Sequence, residues 1–455
     1  MIRAFVLAVA LSSATVAQQQ AAPPAQQQAS PQPQQQGPQP LTLDDAVKLS
    51  LERNPDLQRQ ILLTLSAEQD KVLARSSILP QVDFNASLAR VRTNGPVLQG
   101  GVETGQTVTN ETVAQWNYGG RFTVTQLIFD GGRWWNNMAA QDSAYQSNVA
   151  QTDEQRLQIT YLVEQRFYEL VRAQRTLQVL GDAAARSRDQ ADYTQRLFEG
   201  GRATQADVYA ARANRDNDEV TRLGQERAVE LARADLALAI GVDPAEPLTV
   251  VEPQRLMSDP AQPPAPKDAV SRALENRPAI KAASLLVESN QKLTSAAKGD
   301  YWPALSANAG WNRGTTDASQ YFQDPLKNSQ ASIGLTLSWN LFRGLATDAN
   351  VRKAELQAMI SQNDLANARR NVASDVEKAV AQLSTAGAQA RVAKQAEDTA
   401  KEGLRLARTR QEVGVGTQLE VRDAELKLTQ AQLNVVGSLV DGREAESALR
   451  RAQGG

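Results

Sequence analysis

The chain has 455 residues, with 49 basic against 51 acidic side chains and neither histidine nor cysteine. Two or three ordinary domains would fit that length, but the missing residue types exclude thiolate nucleophiles, imidazole bases, Ser-His-Asp triads and the common zinc and haem sites. Balanced charge without a basic tail or stripe also argues against nucleic-acid binding, which needs a cationic excess to displace counterions from phosphate.

In chain order, residues 1–17 place Arg3 before an apolar run, Ala4 to Leu11, and small residues ending at Ala17. The run is too short to span a bilayer, so the pattern predicts a secretory signal peptide cleaved near Ala17. Residues 18–40 are almost entirely Gln, Pro and Ala and predict a disordered leader, because they offer little apolar surface against the entropy of ordering. Nothing beyond has the roughly 20 consecutive apolar residues of a membrane-spanning helix, so membrane contact must come from β-strands.

From residue 41 onward the sequence is duplicated. Asp45-Ala46-Val47 returns as Asp268-Ala269-Val270 and Pro80 as Pro303, an offset of 223 (268 less 45). Farther on, Phe129 matches Phe342, Gly131 matches Gly344 and Thr204-Gln205 matches Thr417-Gln418, an offset of 213 (342 less 129). The indel therefore lies between the proline and the phenylalanine of each copy. The expected organisation is a first repeat over 41–243, a Pro-rich linker over 244–266 and a second repeat over 267–455.

Each copy opens with a short helix; in the first, Thr42 with Asp45 has the spacing of a capping box. A second helix is expected from Pro55, at a first-turn position, to about Leu79, where Pro80 ends it. The hydrophobic period then changes from 3.6 to 2, as in Val82, Phe84, Ala86 and Leu88, or Ile333, Leu335, Leu337 and Trp339. Strands are expected around 81–93, 115–129, 304–313 and 330–342, with one apolar and one polar face. No proline lies between Pro96 and Pro244 or after Pro325. Helices are therefore expected from Arg133 to Glu199 and from Ala346 to Glu412, each of about 67 residues and roughly 100 Å. Glycines break both runs, and return helices are expected near 204–240 and 417–451. A return helix and the helix before the strands, stacked end to end, would line the whole long helix.

Four strands cannot close a membrane barrel, and open edges are not allowed in lipid, so several chains must share one barrel; three would supply twelve strands. Trp116, Trp134, Trp135, Trp302, Trp311 and Trp339, all in or beside the strands, suit the membrane–water interface.

Taken together, the duplication, the strand entries at Leu79-Pro80 and Trp302-Pro303, the exits at Phe129-Asp130-Gly131-Gly132 and Leu341-Phe342-Arg343-Gly344, and the two glycine tips resemble the TolC family of outer-membrane efflux ducts. The resemblance covers nearly all of residues 41–451. It implies a mainly α fold with a small β part: a long coiled-coil α-helical barrel in the periplasm, continuous with four membrane β-strands per protomer that complete a 12-stranded β-barrel in a homotrimer. It further implies partners, namely outer-membrane lipid, a periplasmic adaptor and an inner-membrane pump, and no cofactor or metal. Glu420 and Asp423 fall where the family places acidic pore-constriction residues, and Asp207 is their counterpart in the first copy. Thr417 with Glu420 also has capping-box spacing, and Thr204 with Asp207 a weaker version, so capping and pore-lining stand as alternative roles. The tip residues Gly200, Gly201, Arg202, Ala203 and Thr204, with Gly414, Val415, Gly416 and Thr417, are the expected adaptor-docking surface. The family's mouth-closing arginine in the second tip is replaced by Gly416, leaving Arg202 and Arg422 as nearby substitutes.

The expected function is passive conduction of drugs, small molecules or polypeptides out of the cell, with no enzymatic step. The alternative is a soluble periplasmic coiled-coil scaffold or adaptor. The absence of histidine and the presence of only four methionines count against a dedicated copper or silver cargo.

Overall fold

A computed structural model describes residues 40–99, 107–323 and 327–455. The expected signal peptide and the leader up to Gln39 lie outside the described residues.

Each repeat builds the same series. In the first, α1 (Leu43–Arg53) and α2 (Pro55–Ser76) lead into β1 (Gln81–Gln99) and β2 (Thr107–Phe129), then the long α3 (Arg133–Glu199) and its return α4 (Gln205–Ile240). In the second, α5 (Pro266–Asn276) and α6 (Pro278–Lys298) lead into β3 (Ala304–Thr315), a six-residue α7 (Ala318–Gln323) and β4 (Ser329–Ser338), followed by α8 (Ala346–Glu412) and α9 (Gln418–Gln453). Both long helices have 67 residues, as the proline gaps predict.

The four strands form one antiparallel sheet in the order β1-β2-β3-β4. Its two faces are chemically distinct. Val82, Phe84, Leu88, Ile333, Leu335 and Leu337 lie on one face, and each is more than half exposed. Asp83, Asn85, Thr123, Asn308 and Thr336 lie on the other, as the pairing of Asp83 with Thr123 and of Asn308 with Gly334 requires. Strand boundaries differ from expectation in two ways. The first hairpin runs past 93 and begins before 115, because Pro96 and Gly95, which read as a turn, keep their places in the ladder opposite Asn110 and Glu111. In contrast, β4 stops at Ser338 rather than 342, since its partner strand begins at Ala304 and offers nothing further to pair with. Helix α2 likewise ends at Ser76, three residues short of Leu79, where Ile78 and Leu79 close a turn onto Arg75 and Ser76.

Gly131 and Gly132, with φ of 71° and 80°, turn the chain from β2 into α3. A side chain at Gly131 would strike the carbonyl of Gly299, so the turn requires glycine there. Asp130, buried beside it, accepts a hydrogen bond from Trp134 N–H at 3.0 Å and caps the uncapped end of α3.

Beneath the sheet the helices lie side by side in the order α2, α3, α6, α8, and toward the tips in the order α4, α3, α9, α8. The change of neighbours occurs where short helices abut. Asn54, at the start of α2, donates its side-chain amide to Ala239 O at the end of α4, and Gly454, ending α9, lies against Asn276 and Arg277. The largest core sits at this equator: Leu57, Phe167, Leu170, Leu236 and Ile240 pack beneath α1 and the segment after α4. That segment, Pro-rich and expected as a plain linker, is a fastened strap. Leu41 and Val250 make a parallel β-bridge, Arg175 on α3 grips Glu252 through two hydrogen bonds of 2.5 and 2.7 Å, and Lys394 on α8 reaches Asp259 at 2.6 Å. Arg443 on α9 donates to the carbonyls of Arg255 and Ser258. Elsewhere the coils are lined with small residues such as Ala386, Ala390 and Ala393, which allow close helix approach.

Candidate functional site at the helix tips

Both long helices end in a glycine turn followed by a threonine cap. In the first tip Gly201 takes a φ of 71°, and Arg202 N–H closes back on Leu197 O at 2.7 Å. Thr204 then caps α4 in a complete reciprocal box: Asp207 N–H donates to its hydroxyl at 3.2 Å, and Asp207 carboxylate accepts from Thr204 N–H at 2.9 Å. The backbone N–H of Thr204, helped by its hydroxyl, holds the Asp207 carboxyl below the usual carboxylate range.

The second tip reverses the expected ranking of the two caps. Thr417 accepts from Glu420 N–H at 3.2 Å, but the Glu420 carboxylate does not return to the cap. It turns instead to Arg410, at the end of α8, whose Nε lies 3.4 Å away and whose other nitrogen donates to Val415 O. Arg410 thus braces the second tip, a role that local spacing does not reveal. Gly416 is packed so closely that a Cβ there would lie 2.8 Å from Gln411 N and 2.9 Å from Arg410 C. This turn therefore has no room for a side chain at Gly416, because the backbone of Arg410 and Gln411 occupies the space. Asp423, one turn up α9, pairs with Lys427 at 2.6 Å, both exposed.

Among the candidate acids, the structure places Asp207 and Glu420 at equivalent third positions of α4 and α9 and Asp423 just above Glu420. The only ionic tie joining α4 to α9 near the tips involves Arg422, among the described residues: its guanidinium holds Asp218 in a bidentate pair at 2.7 and 2.9 Å. The pair is mostly shielded, with side chains 18% and 17% exposed, and Asp218 raises the Arg422 pKa further. Above it Glu425, 3% exposed, accepts from Arg408 at 3.0 Å. Arg186 on α3 donates to Thr429 on α9; burial lowers its pKa while Glu425 opposes the change. Farther toward the equator Arg172 binds Asp441 and Glu444, and Arg450 binds Glu164. Arg422, Arg186, Arg172 and Arg450 thus form successive rungs between the first repeat's coil and the second's, while Arg408–Glu425 lies within the second. Arg422 was the one rung visible beforehand; Arg186 and Asp218 were missed because their partners lie 243 and 204 residues away in sequence, and the Arg408–Glu425 pair, 17 residues apart, because the glycine turn between them hides the spacing.

Near the other end of the long helices, Trp134 and Trp135 stack at 4.1 Å in the first turn of α3, and Trp339 Nε1 donates to Tyr301 O at 3.1 Å. Trp302 is 64% exposed beside them. Trp116 and Trp311 sit high on the apolar face of the sheet, opposite Arg90 and Phe122 respectively. The six tryptophans therefore fall at two levels. No helix among the described residues is long and apolar enough to cross a membrane.

A family model described as outer membrane efflux protein matches residues 46–242 and 269–455, one match to each repeat. The chain belongs to that family. Outer membrane protein TolC of Vibrio cholerae is 22% identical over 409 residues, covering 86% of this chain and 87% of that protein. Alkaline protease secretion protein AprF of Pseudomonas aeruginosa is 23% identical over 421 residues, covering 90% and 84%. Among solved structures, CusC superposes with a TM-score of 0.79 at 17% identity over 91% of this chain and 92% of its own. VceC from Vibrio cholerae gives 0.75 at 18%, over 91% and 96%. This outer membrane efflux protein is thus an outer-membrane channel of the efflux and secretion type, its helical part extending into the periplasm. The soluble scaffold finds no support among its relatives.

Proposed function

We propose that three copies assemble into one duct, with the sheet edges of β1 and β4 joined between protomers and the helix tips forming a periplasmic mouth that a partner opens. The observation that carries this reading is a four-stranded sheet with two unpaired edges set on two 67-residue helices. Such a sheet satisfies its backbone in lipid only when other copies close it.

Arg422–Asp218 serves as the latch of the mouth. Opening shears the coil of α8 and α9 past that of α3 and α4, and this pair is the rung nearest the tips. Glu420 and Asp423 contribute acidic charge at the constriction, which favours cations; Asp207, committed to its cap, contributes less. An adaptor docks on the two glycine tips, where Val413, Val415 and Leu419 are 65–76% exposed. The tryptophans at two levels hold the barrel at the two membrane interfaces. Cargo of either kind, small molecule or polypeptide, moves passively, and no residue performs chemistry on it.

Single-channel recording in planar bilayers tests the latch. Asp218→Ala and Arg422→Ala should each raise conductance several-fold, and the exchange Asp218→Arg with Arg422→Asp should return it toward the original level. Unchanged current in both single variants would remove the latch. In the same recordings Glu420→Gln with Asp423→Asn should lower cation preference.

A further inference from the structure

Charge is distributed unequally between the two faces of the sheet. Among the described side chains of the four strands, the polar face carries both signs, as in Asp83 and Arg121, whereas every charged side chain on the apolar face is an arginine: Arg90, Arg92 and Arg313. Arg90 and Arg313 are equivalent positions of the duplication, 223 residues apart (313 less 90), each nine residues above the start of its strand. Nine residues at about 3.3 Å each, tilted by about 40°, climb roughly 23 Å, which is the top of an apolar band about 25 Å tall. An arginine is expelled from the bilayer midplane but tolerated at this height, where it meets headgroups.

The two copies use the position differently. Arg313 is 7% exposed, covered by Tyr321 of α7, whose ring lies 5.0 Å from its guanidinium. Arg90 and Arg92 are exposed and make no ion pair or hydrogen bond with any described residue. The Arg90 guanidinium stands 5.7 Å over the Trp116 ring. Stacking of this kind occupies the flat face of a guanidinium and leaves its N–H edge free, the edge that matches a phosphate bidentately. Nor does the neighbouring copy neutralise these charges in a closed barrel, because β4, which would lie along β1, has no acidic residue from Ser329 to Ser338.

We propose that Arg90 and Arg92, with Trp116 beneath them, form a binding site for the phosphate of outer-leaflet lipid headgroups, one site per protomer. The proposal rests on the channel reading, in which the apolar face meets lipid. Paired guanidinium forks give the phosphate, the indole gives the interfacial acyl region, and the covered Arg313 marks the same level in the second repeat.

The full-length protein in neutral detergent would be offered a labelled acylated glucosamine disaccharide with two phosphates, or the same lipid with its phosphates removed, and the lipid retained through gel filtration measured. The expected result is at least a tenfold preference for the phosphorylated lipid, falling close to unity in Arg90→Gln with Arg92→Gln and persisting in Arg121→Gln on the polar face. Equal retention of both lipids, or a preference that survives the double variant, would overturn the proposal. So would displacement by inorganic phosphate at the lipid's own concentration, which would identify a site for free anions. A chain without cysteine also allows nitroxide labels at Phe84→Cys and Asn85→Cys in vesicles. If Phe84 faces lipid while phosphate selectivity is absent, the arginine site alone fails; if Phe84 faces water, the channel orientation fails instead.

Discussion

At the scale of single residues, the titration of Glu444 is the most informative. It lies half-sheltered on α9, and burial raises its carboxyl pKa above the ordinary 4.5 despite the Arg172 guanidinium at 3.0 Å. Folded protein thus binds this proton more tightly than unfolded chain. The group therefore favours folding least at high pH: stability falls as pH rises from the unfolded value through the raised folded one. Glu444→Gln should raise the melting temperature at pH 7 and leave it unchanged below pH 4, while Arg172 keeps its 2.7 Å bond to Asp441. A melting temperature lower than the parent's at pH 7 would show that Arg172 outweighs burial. Residue-level roles of this kind were the least legible in the sequence. The position of Glu420 was evident from its spacing to Thr417, but the rival partner, Arg410, comes from the preceding helix and wins the carboxylate. Gly416 was readable as a departure from the family, whereas the closeness of the Arg410 and Gln411 backbone, which leaves no space for a Cβ there, needed coordinates.

Among the elements, the two equatorial joints show how a duplicated unit has diverged. In the first, Asn54 caps α2 by accepting from Asp56 N–H at 2.9 Å and Leu57 N–H at 3.4 Å. In the second, Arg277 stands at the same place, caps nothing with its side chain, and reaches across to Glu154 on α3 in a bidentate pair of 2.8 and 3.0 Å. Its side chain is 4% exposed and that of Glu154 is 10%. Removing one member of such a pair strands the other charge, so Arg277→Ala should cost about 3–5 kcal/mol. Arg277→Asn with Glu154→Gln should cost well under half as much, since it restores a cap and removes the buried charge; denaturant unfolding measures both. Elements were far more legible than residues. Proline gaps located α3 and α8, because a helix tolerates most residues but not proline, and period-two alternation located the strands. Misjudged ends came from local signals overruled by pairing, as at Pro96, or from lack of a partner, as at Trp339. The strap, with too little periodicity to read, is defined by long-range contacts to Arg175, Lys394 and Arg443.

On the scale of the whole molecule, the duplication makes the contacts within one chain a template for those between chains of the proposed trimer. Inside the protomer α3 of the first repeat packs on α6 of the second, with Ser289 Oγ donating to Ala140 O at 2.8 Å. Shifting each position by its repeat offset gives Ser66 on α2 and Lys353 on α8 as neighbours across the boundary between copies. Ser66→Cys with Lys353→Cys, introduced into a chain that has no other thiol, should yield a disulfide-linked trimer on mild oxidation, visible as a threefold mass in a non-reducing gel. Linked dimers without trimer would contradict the proposed closure. The same shift shows that the two kinds of seam differ in chemistry. Arg422 and Asp218 become Tyr209 and Ala431, and Arg450 and Arg172 become Ala237 and Thr385. In the proposed trimer these rungs therefore have no counterpart between chains. On α4, Tyr209, Val220, Leu231 and Leu238 are 60–70% exposed in the single protomer, apolar surface that a neighbour in the proposed trimer would bury.

The equality of the two 67-residue helices also makes the molecule a ruler. Adding one turn to α3 alone would lower one tip by about 5.4 Å, unseat Thr204 from the level of Thr417 and slide every rung out of register. A longer reach into the periplasm requires matched insertions in α3, α4, α8 and α9 together, whereas the strand hairpins, which carry the indel in strands of 19 and 23 residues against 12 and 10, bear no such constraint. Distance to the inner membrane is in this sense a quantity held jointly by four helices, and length can change only where no partner has to measure it.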